Sequence, residues 1–140
     1  MATYLLDTTA FSALVKEQPL AKARLSGLEA NQRVVICTVV RGEVLYGLEL
    51  MPDGRKKLEF KRKINDLLSI LPCVPIPEEA ANDYARIKRG TERRGSRLDE
   101  NDLWIAATSL SLGAVLVTAD SDFERVRGLK LENWVGESSS

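Results

Sequence analysis

Apolar residues fall along this chain in short dense runs separated by longer stretches with helical spacing. Tyr4, Leu5 and Leu6 make a first run that stops at Asp7, and Val34 to Cys37, Cys73 to Ile76 and Ala114 to Val117 make three more. Runs this short and continuous suit strands buried on both faces of a sheet. Between them the periodicity predicts helices. Phe11, Leu14 and Val15 share one face of a first helix interrupted at Pro19, and Leu20 to Leu28 supplies a second before the polar loop Asn31, Gln32, Arg33. Thr38 is placed to cap a helix running to about Leu48. Beyond the turn Pro52, Asp53, Gly54, a basic helix carries Leu58, Ile64, Leu67, Leu68 and Leu71 on one side. Glu78 and Glu79 open a helix with Ala81, Tyr84, Ala85 and Ile87 in its stripe, which breaks near Gly90 or Gly95. Leu103 to Leu112 forms the last long helix, closed by Gly113 and followed by a short helix through Val126 and an edge strand from Leu131 to Val135. Pro72, Pro75 and Pro77 put the Cys73 to Ile76 strand at a sheet edge.

Helices separate almost all the strands, which implies an α/β protein: a three-layer fold with a mainly parallel central sheet of four to five strands flanked by helices. At 140 residues it makes one domain, spanning 1–135, with a disordered tail over 136–140. No run approaches the roughly 20 apolar residues of a membrane span, and the start, MATYLLD, meets an acid too soon for a signal peptide, so a cytoplasmic protein is expected. Cys37 and Cys73 lie in apolar segments without metal-ligand spacing and read as small buried core residues.

The polar positions that interrupt this pattern are acids. Asp7 ends the first strand and Asp120 follows the fourth, while Asp102 opens the last long helix behind Asp99. Each has an ordinary explanation as a helix cap or a first-turn acid, and Asp99 is left at capping. Glu43 is harder to explain. It lies three, four or seven positions from Val39, Val40, Tyr46, Gly47 and Leu50, so it faces inward and needs a cation, a donor or a metal; a bridge to Arg41 and a snorkelling position at the helix edge are the alternatives.

In a parallel sheet the strand ends share an edge, and Asp7, Glu43, Asp102 and Asp120 all arrive there. Four carboxylates so placed repel one another unless divalent cations neutralise them, which predicts Mg²⁺ or Mn²⁺. The chain has no histidine, which excludes Ser-His-Asp, Cys-His and histidine-based ribonuclease chemistry and leaves carboxylates with a hard ion. The formal charge is zero, from 20 basic and 20 acidic residues, but the signs are unevenly spread. One basic cluster covers Arg55, Lys56, Lys57, Lys61, Arg62 and Lys63, and a second covers Arg86, Lys88, Arg89, Arg93, Arg94 and Arg97. Such clusters either solvate a helix face or track a phosphate backbone.

LLDTTAF at the start, VVRGEVLYG around Glu43, NDLWIAATSL around Asp102 and LVTADSDF around Asp120, in this order and at these separations, resemble the PIN-domain ribonucleases, and among them the VapC toxins of type II toxin-antitoxin pairs. The resemblance spans Tyr4 to Trp134. It implies that Asp7, Glu43, Asp102 and Asp120 are the acidic metal-binding quartet, with Thr118 as a site hydroxyl and Asp122 as an occasional additional ligand. Thr9 stands where the family often carries Asn or Ser, and Asp99 is an extra acid. The resemblance further implies endonucleolytic cleavage of RNA, often a structured tRNA or ribosomal RNA; hydrolysis by a metal-activated water, which does not need the 2′-hydroxyl as nucleophile, is expected to leave a 5′-phosphate and a 3′-hydroxyl. It also implies a VapB-type antitoxin partner, homodimers and toxin-antitoxin hetero-oligomers.

Two other readings share part of the pattern: a PIN fold that binds RNA or a partner without cutting, and a receiver-like domain phosphorylated on an Asp. The receiver reading lacks an acid beside Asp7 and a late strand ending in Lys, and a haloacid-dehalogenase phosphatase would need a second Asp two residues after Asp7.

Overall fold

The computed structural model describes residues 2–136. Within them β1 (Ala2–Leu6), β2 (Gln32–Cys37), β3 (Cys73–Val74), β4 (Val115–Val117) and β5 (Leu131–Glu132) form one sheet in the order β3-β2-β1-β4-β5. Every neighbouring pair is parallel. The connections are filled by α1 (Thr8–Val15), α2 (Pro19–Ser26), α3 (Thr38–Leu50), α4 (Arg55–Ile70), α5 (Ala80–Arg93), α6 (Glu100–Leu112) and a 3₁₀ turn at Ser121–Arg125. This is the helix-flanked parallel sheet that the alternation of patterns predicts.

The chain starts in the middle of the sheet. It steps outward to β2 and β3, then crosses back to lay β4 against the other side of β1. Tyr4, Leu5 and Leu6 are buried, as are Val34 to Cys37, Leu116 and Val117, which is why these strands read as continuous apolar runs. The order reverses between β1 and β4, the kind of crevice where open α/β sheets bind ligands. Leu6 pairs with Val117, and the Asp7 N–H donates to the Val117 carbonyl at 3.0 Å. Asp7 and Thr118 therefore leave the sheet side by side.

Several expectations are corrected by packing. Pro19 occupies the first position of α2, where its missing N–H costs nothing, so it opens the second helix and does not interrupt the first. Cys37 takes the N-cap position of α3, and Thr38 is already helical. The buried side of α3 is Val40, Val44 and Leu48; Tyr46 and Leu50 are 64% and 66% exposed. On α4 only Ile64 is fully buried, and Leu58 faces solvent.

α5 buries Ala80, Ile87 and Thr91, leaves Ala81 and Ala85 exposed, and runs through Gly90 to a turn at Gly95, whose φ of 68° is left-handed. Thr91 is tolerated inside because its hydroxyl donates to the Ile87 carbonyl at 2.9 Å, a bond that hydrophobic periodicity cannot reveal. Gln32 and Arg33 belong to β2, β3 and β5 are two residues each, and Cys73 on the edge strand is exposed, unlike buried Cys37. Of the expected tail, residues 137–140 lie outside the described residues.

Trp134 is buried against Tyr4, and the Arg24 guanidinium lies over both rings while pairing with Glu132 at 3.0 Å. These contacts fasten β5 to the sheet.

Leu5→Ala, which empties a fully buried position of the central strand, is expected to cost about 2–5 kcal/mol in urea unfolding, whereas Leu58→Ala changes stability by less than about 0.5 kcal/mol.

Candidate active site

The site is built outward from Asp7, which is 3% exposed. Its backbone caps α1, and Oδ1 accepts from the Ala10 N–H at 2.8 Å and the Thr9 hydroxyl at 2.7 Å; Oδ2 accepts from the Thr118 hydroxyl. The capping role and the site role therefore belong to one carboxylate. Both threonines are also anchored from the far side: Thr9 Oγ1 accepts from the Ala119 N–H and Thr118 Oγ1 from the Asp120 N–H, each at 2.9 Å. Two hydroxyls thus join the start of α1 to the end of β4. Burial pushes the Asp7 carboxyl above its ordinary value, the three hydrogen bonds oppose this, and the charge of Asp120 adds to it. A receiver-like role fails here, because such a domain needs an accessible acceptor carboxylate.

Glu43 sits between the starts of two other helices. Its Oε1 accepts from the Thr8 hydroxyl of α1 at 2.5 Å, and its Oε2 from the Asn101 side chain of α6 at 3.2 Å. Its partners are neutral donors, and among the described residues Arg41 makes no bridge to it. Thr8 and Asn101 are site residues that periodicity passes over. Each adjoins a singled-out acid in sequence, which is the only signal they give.

Asp102 stands in the first turn of α6, half-buried, with no hydrogen bond or ion pair among the described residues. Burial first, and then the charges of Asp120, Glu43, Asp99 and Asp7, push its carboxyl up from 3.8 to about 6. The other three quartet acids and Asp99 are therefore felt at Asp102, whereas Asp122 is not among them. Asp99 holds the N-cap position of α6 but makes no side-chain capping bond, so its expected role is corrected: it contributes charge to Asp102 instead.

Asp120 caps the 3₁₀ turn by accepting from the Asp122 N–H at 2.9 Å, while the Asp122 carboxylate is turned to Arg125 at 3.0 Å. No three acidic or cysteine side chains form a closed metal cage among the described residues.

The second basic cluster lies on α5 and the loop into α6, and it is partly neutralised. Arg86 pairs with Asp83 at 3.0 Å, Lys88 with Glu100 at 2.9 Å and Arg97 with Glu92 at 3.8 Å. Arg89 and Arg93 are exposed and make no ion pair among the described residues. Arg94 donates to the Arg125 carbonyl at 2.6 Å, and Arg125 donates to the Arg97 carbonyl at 2.8 Å. Arg125, which the sequence reading passed over, thereby ties the turn that follows Asp120 to the loop that precedes Asp102.

The raised Asp102 carboxyl makes a pH prediction for the metal-free protein. Its unfolded value lies near 3.8 and its folded value near 6, so its charge penalises folding fully above about pH 6 and not at all below the unfolded value. Asp102→Asn should therefore be the more stable protein at pH 7.5, by on the order of 1 kcal/mol once solvent screening of a half-exposed group is allowed for, and no more stable than the parent near pH 3.5. Unfolding curves at the two pH values in chelator measure it; parallel curves would show an ordinary carboxylate.

A family model of the PIN domain matches residues 4–129. The chain is 31% identical over 137 residues to Ribonuclease VapC2 of Haemophilus influenzae, covering 96% of this chain and 100% of that one. It is 26% identical over 135 residues to the tRNA(fMet)-specific endonuclease VapC of Salmonella typhimurium, covering 96% and 99%. Its fold is also similar to the crystal structure of VapBC2 from Rickettsia felis bound to a DNA fragment from their promoter, with a TM-score of 0.85 and 28% identity over 94% of this chain and 98% of that one. With the sheet order, the acids at its switch point and these matches in agreement, the chain belongs to the PIN-domain family, among its VapC proteins.

Proposed function

We propose that this chain is a Mg²⁺- or Mn²⁺-dependent endoribonuclease, the toxin of a VapBC-type pair, which hydrolyses phosphodiester bonds in a structured RNA such as a tRNA or ribosomal RNA. The ribonuclease and endonuclease relatives support the activity, and the tRNA(fMet)-specific one supports the substrate class. What supports the metal is convergence: Asp7, Glu43, Asp102 and Asp120 come from four separate parts of the chain to one sheet edge, close enough that Asp102, raised first by burial, also feels the charges of the other three.

The donor set fits the ion. It offers oxygen alone, as hard cations require, and Mg²⁺ needs only one or two carboxylates because it keeps several waters. Asp102 and Asp120 would hold it, with Asp7 and Glu43 completing the charge around it. When bound, such an ion lowers the pKa of a water and offsets charge growing on the phosphate.

The protein's own groups fix the geometry. Thr9 and Thr118 lock Asp7, Thr8 and Asn101 lock Glu43, and Arg125 ties together the segments bearing Asp102 and Asp120. Water attacking the phosphorus in line with a departing 3′-oxygen, which leaves as the 3′-hydroxyl, gives a 5′-phosphate, and the 2′-hydroxyl takes no part. Arg89 and Arg93 contact the RNA backbone; Arg86, Lys88 and Arg97 join them by exchanging their acidic partners for phosphate, while Arg94 holds the loop beside them.

A VapB-type antitoxin, of the kind crystallised with the Rickettsia felis relative, takes the apolar groove between α1, α3 and α4, where Phe11, Val44, Leu48 and Phe60 lead to Glu43. The exposed Tyr46, Leu50 and Leu58 supply apolar surface for this partner and for a homodimer. Action in the cytoplasm is part of this proposal; among the described residues no helix is long and apolar enough to cross a membrane.

Purified protein incubated with total RNA should cut it in Mg²⁺ or Mn²⁺, stop in chelator, and leave ends that ligate as 5′-phosphates. Asp102→Asn should cut at least about a hundredfold more slowly, the size of a loss of several kcal/mol of charge stabilisation. Undiminished cutting by that variant or in chelator overturns the reading, and tight RNA binding without cutting favours the non-catalytic PIN module.

A further inference from the structure

A cavity of about 270 Å³ opens beyond the ends of β4 and β5 and shares Asp120 with the acidic crevice. Its other walls include Ser121, Glu124, Leu131, Glu132 and Asn133. Glu132 is held in place, since its Oε1 accepts from Arg24 and from the Trp134 indole N–H at 3.0 Å each. Asn133 is also oriented: its Oδ1 accepts from the Val135 N–H at 2.9 Å, which leaves the Nδ2 donor free. Glu124 makes no ion pair or hydrogen bond through its side chain among the described residues.

The walls select a chemical class. Among the described residues Glu124 is unpaired and disfavours a phosphate here, and no basic side chain lines the cavity to offset it, so this is not a backbone subsite. One free carboxylate, one free amide donor and the apolar Leu131 side chain suit a flat neutral heterocycle carrying both donors and acceptors, which describes an unstacked base. Of the four RNA bases only guanine presents two adjacent N–H donors, N1–H and N2–H, beside a carbonyl acceptor. A carboxylate matches the first two and an amide N–H the third.

We propose that this cavity seats a guanine of the RNA next to the scissile phosphate, with Glu124 accepting from N1–H and N2–H and Asn133 donating to O6. The inference rests on the nuclease reading for its substrate and adds a base-selecting subsite to it. Sharing of Asp120 by crevice and cavity places the base within about a nucleotide of the bond that is cut. Glu124 and Asn133 are specificity residues here, and the carboxylates that carry the chemistry are separate from them.

The test uses total RNA with cut ends mapped, and a short RNA carrying guanine, inosine or adenine at the position so identified. Guanine should be enriched at one fixed position beside the cuts. Inosine, which keeps N1–H and O6 but lacks the 2-amino group, should lower cutting about tenfold, and adenine further, the range a good bidentate base contact commands. Glu124→Gln should erase most of the guanine preference, and Asn133→Ala part of it; both residues are exposed, so neither change threatens the fold. Equal base profiles in parent and variants, or equal cutting of guanine and inosine, overturn the subsite while leaving the nuclease intact. The same RNA series, read as binding by fluorescence anisotropy in chelator, keeps the two claims apart. A parent that cuts nothing yet prefers guanine in a Glu124-dependent way refutes the nuclease and supports the subsite; a parent without base preference in either assay refutes the subsite.

Discussion

A carboxylate almost wholly withdrawn from water must be compensated by donors, and Asp7 meets that demand at the end of the central strand. Its two oxygens accept from Ala10, Thr9 and Thr118, and the two hydroxyls are in turn fixed by the backbone N–H groups of Ala119 and Asp120. Satisfying one buried charge thus sets the distance between the start of α1 and the end of β4. The position of Asp120 follows from that distance. The crevice is electrostatically uncomfortable at Asp102, whose carboxyl is raised first by burial and then by the charges of Asp120, Glu43, Asp99 and Asp7.

Much of this was legible in the sequence, for a physical reason. Strands buried on both faces have no room for polar residues, so Tyr4 to Leu6, Val34 to Cys37 and Ala114 to Val117 stand out, and the acids that end them stand out in turn. What periodicity could not supply was orientation on helices whose surfaces are shared among several neighbours. α3 packs against α1, α4 and α6, so its buried stripe shifted to Val44 and Leu48 and left Tyr46 and Leu50 in solvent. On α5, buried Thr91 was hidden because its hydroxyl answers to the helix backbone. The convergence of Asp7, Glu43, Asp102 and Asp120 on one edge was readable, whereas the contacts of Thr8, Asn101 and Arg125 were not, since they depend on partners 28 to 58 residues away.

The charge distribution separates two kinds of surface that a net charge of zero conceals. Arg125 and Arg94 spend donors on backbone carbonyls and hold loops, while Arg89 and Arg93 are left to solvent. Counting basic residues along α5 would treat these as equivalent. Their hydrogen bonds divide them into arginines that shape the crevice and arginines free to meet a polyanion, and the acidic walls beyond β4 and β5 form a third environment within the same small face.

The position of β1 between an early neighbour and a late one affects how the protein is made. β2 follows within about thirty residues of β1, but β4 pairs with it across a separation of more than a hundred, Leu5 with Leu116. On the ribosome the first strand waits with one flank unpaired until β4 has emerged, and such non-local pairing closes slowly. Asp120 and Thr118 arrive with that last neighbour. Until β4 has paired, the edge that Asp7 shares with Thr118 and Asp120 does not exist, so the crevice is a late product of folding.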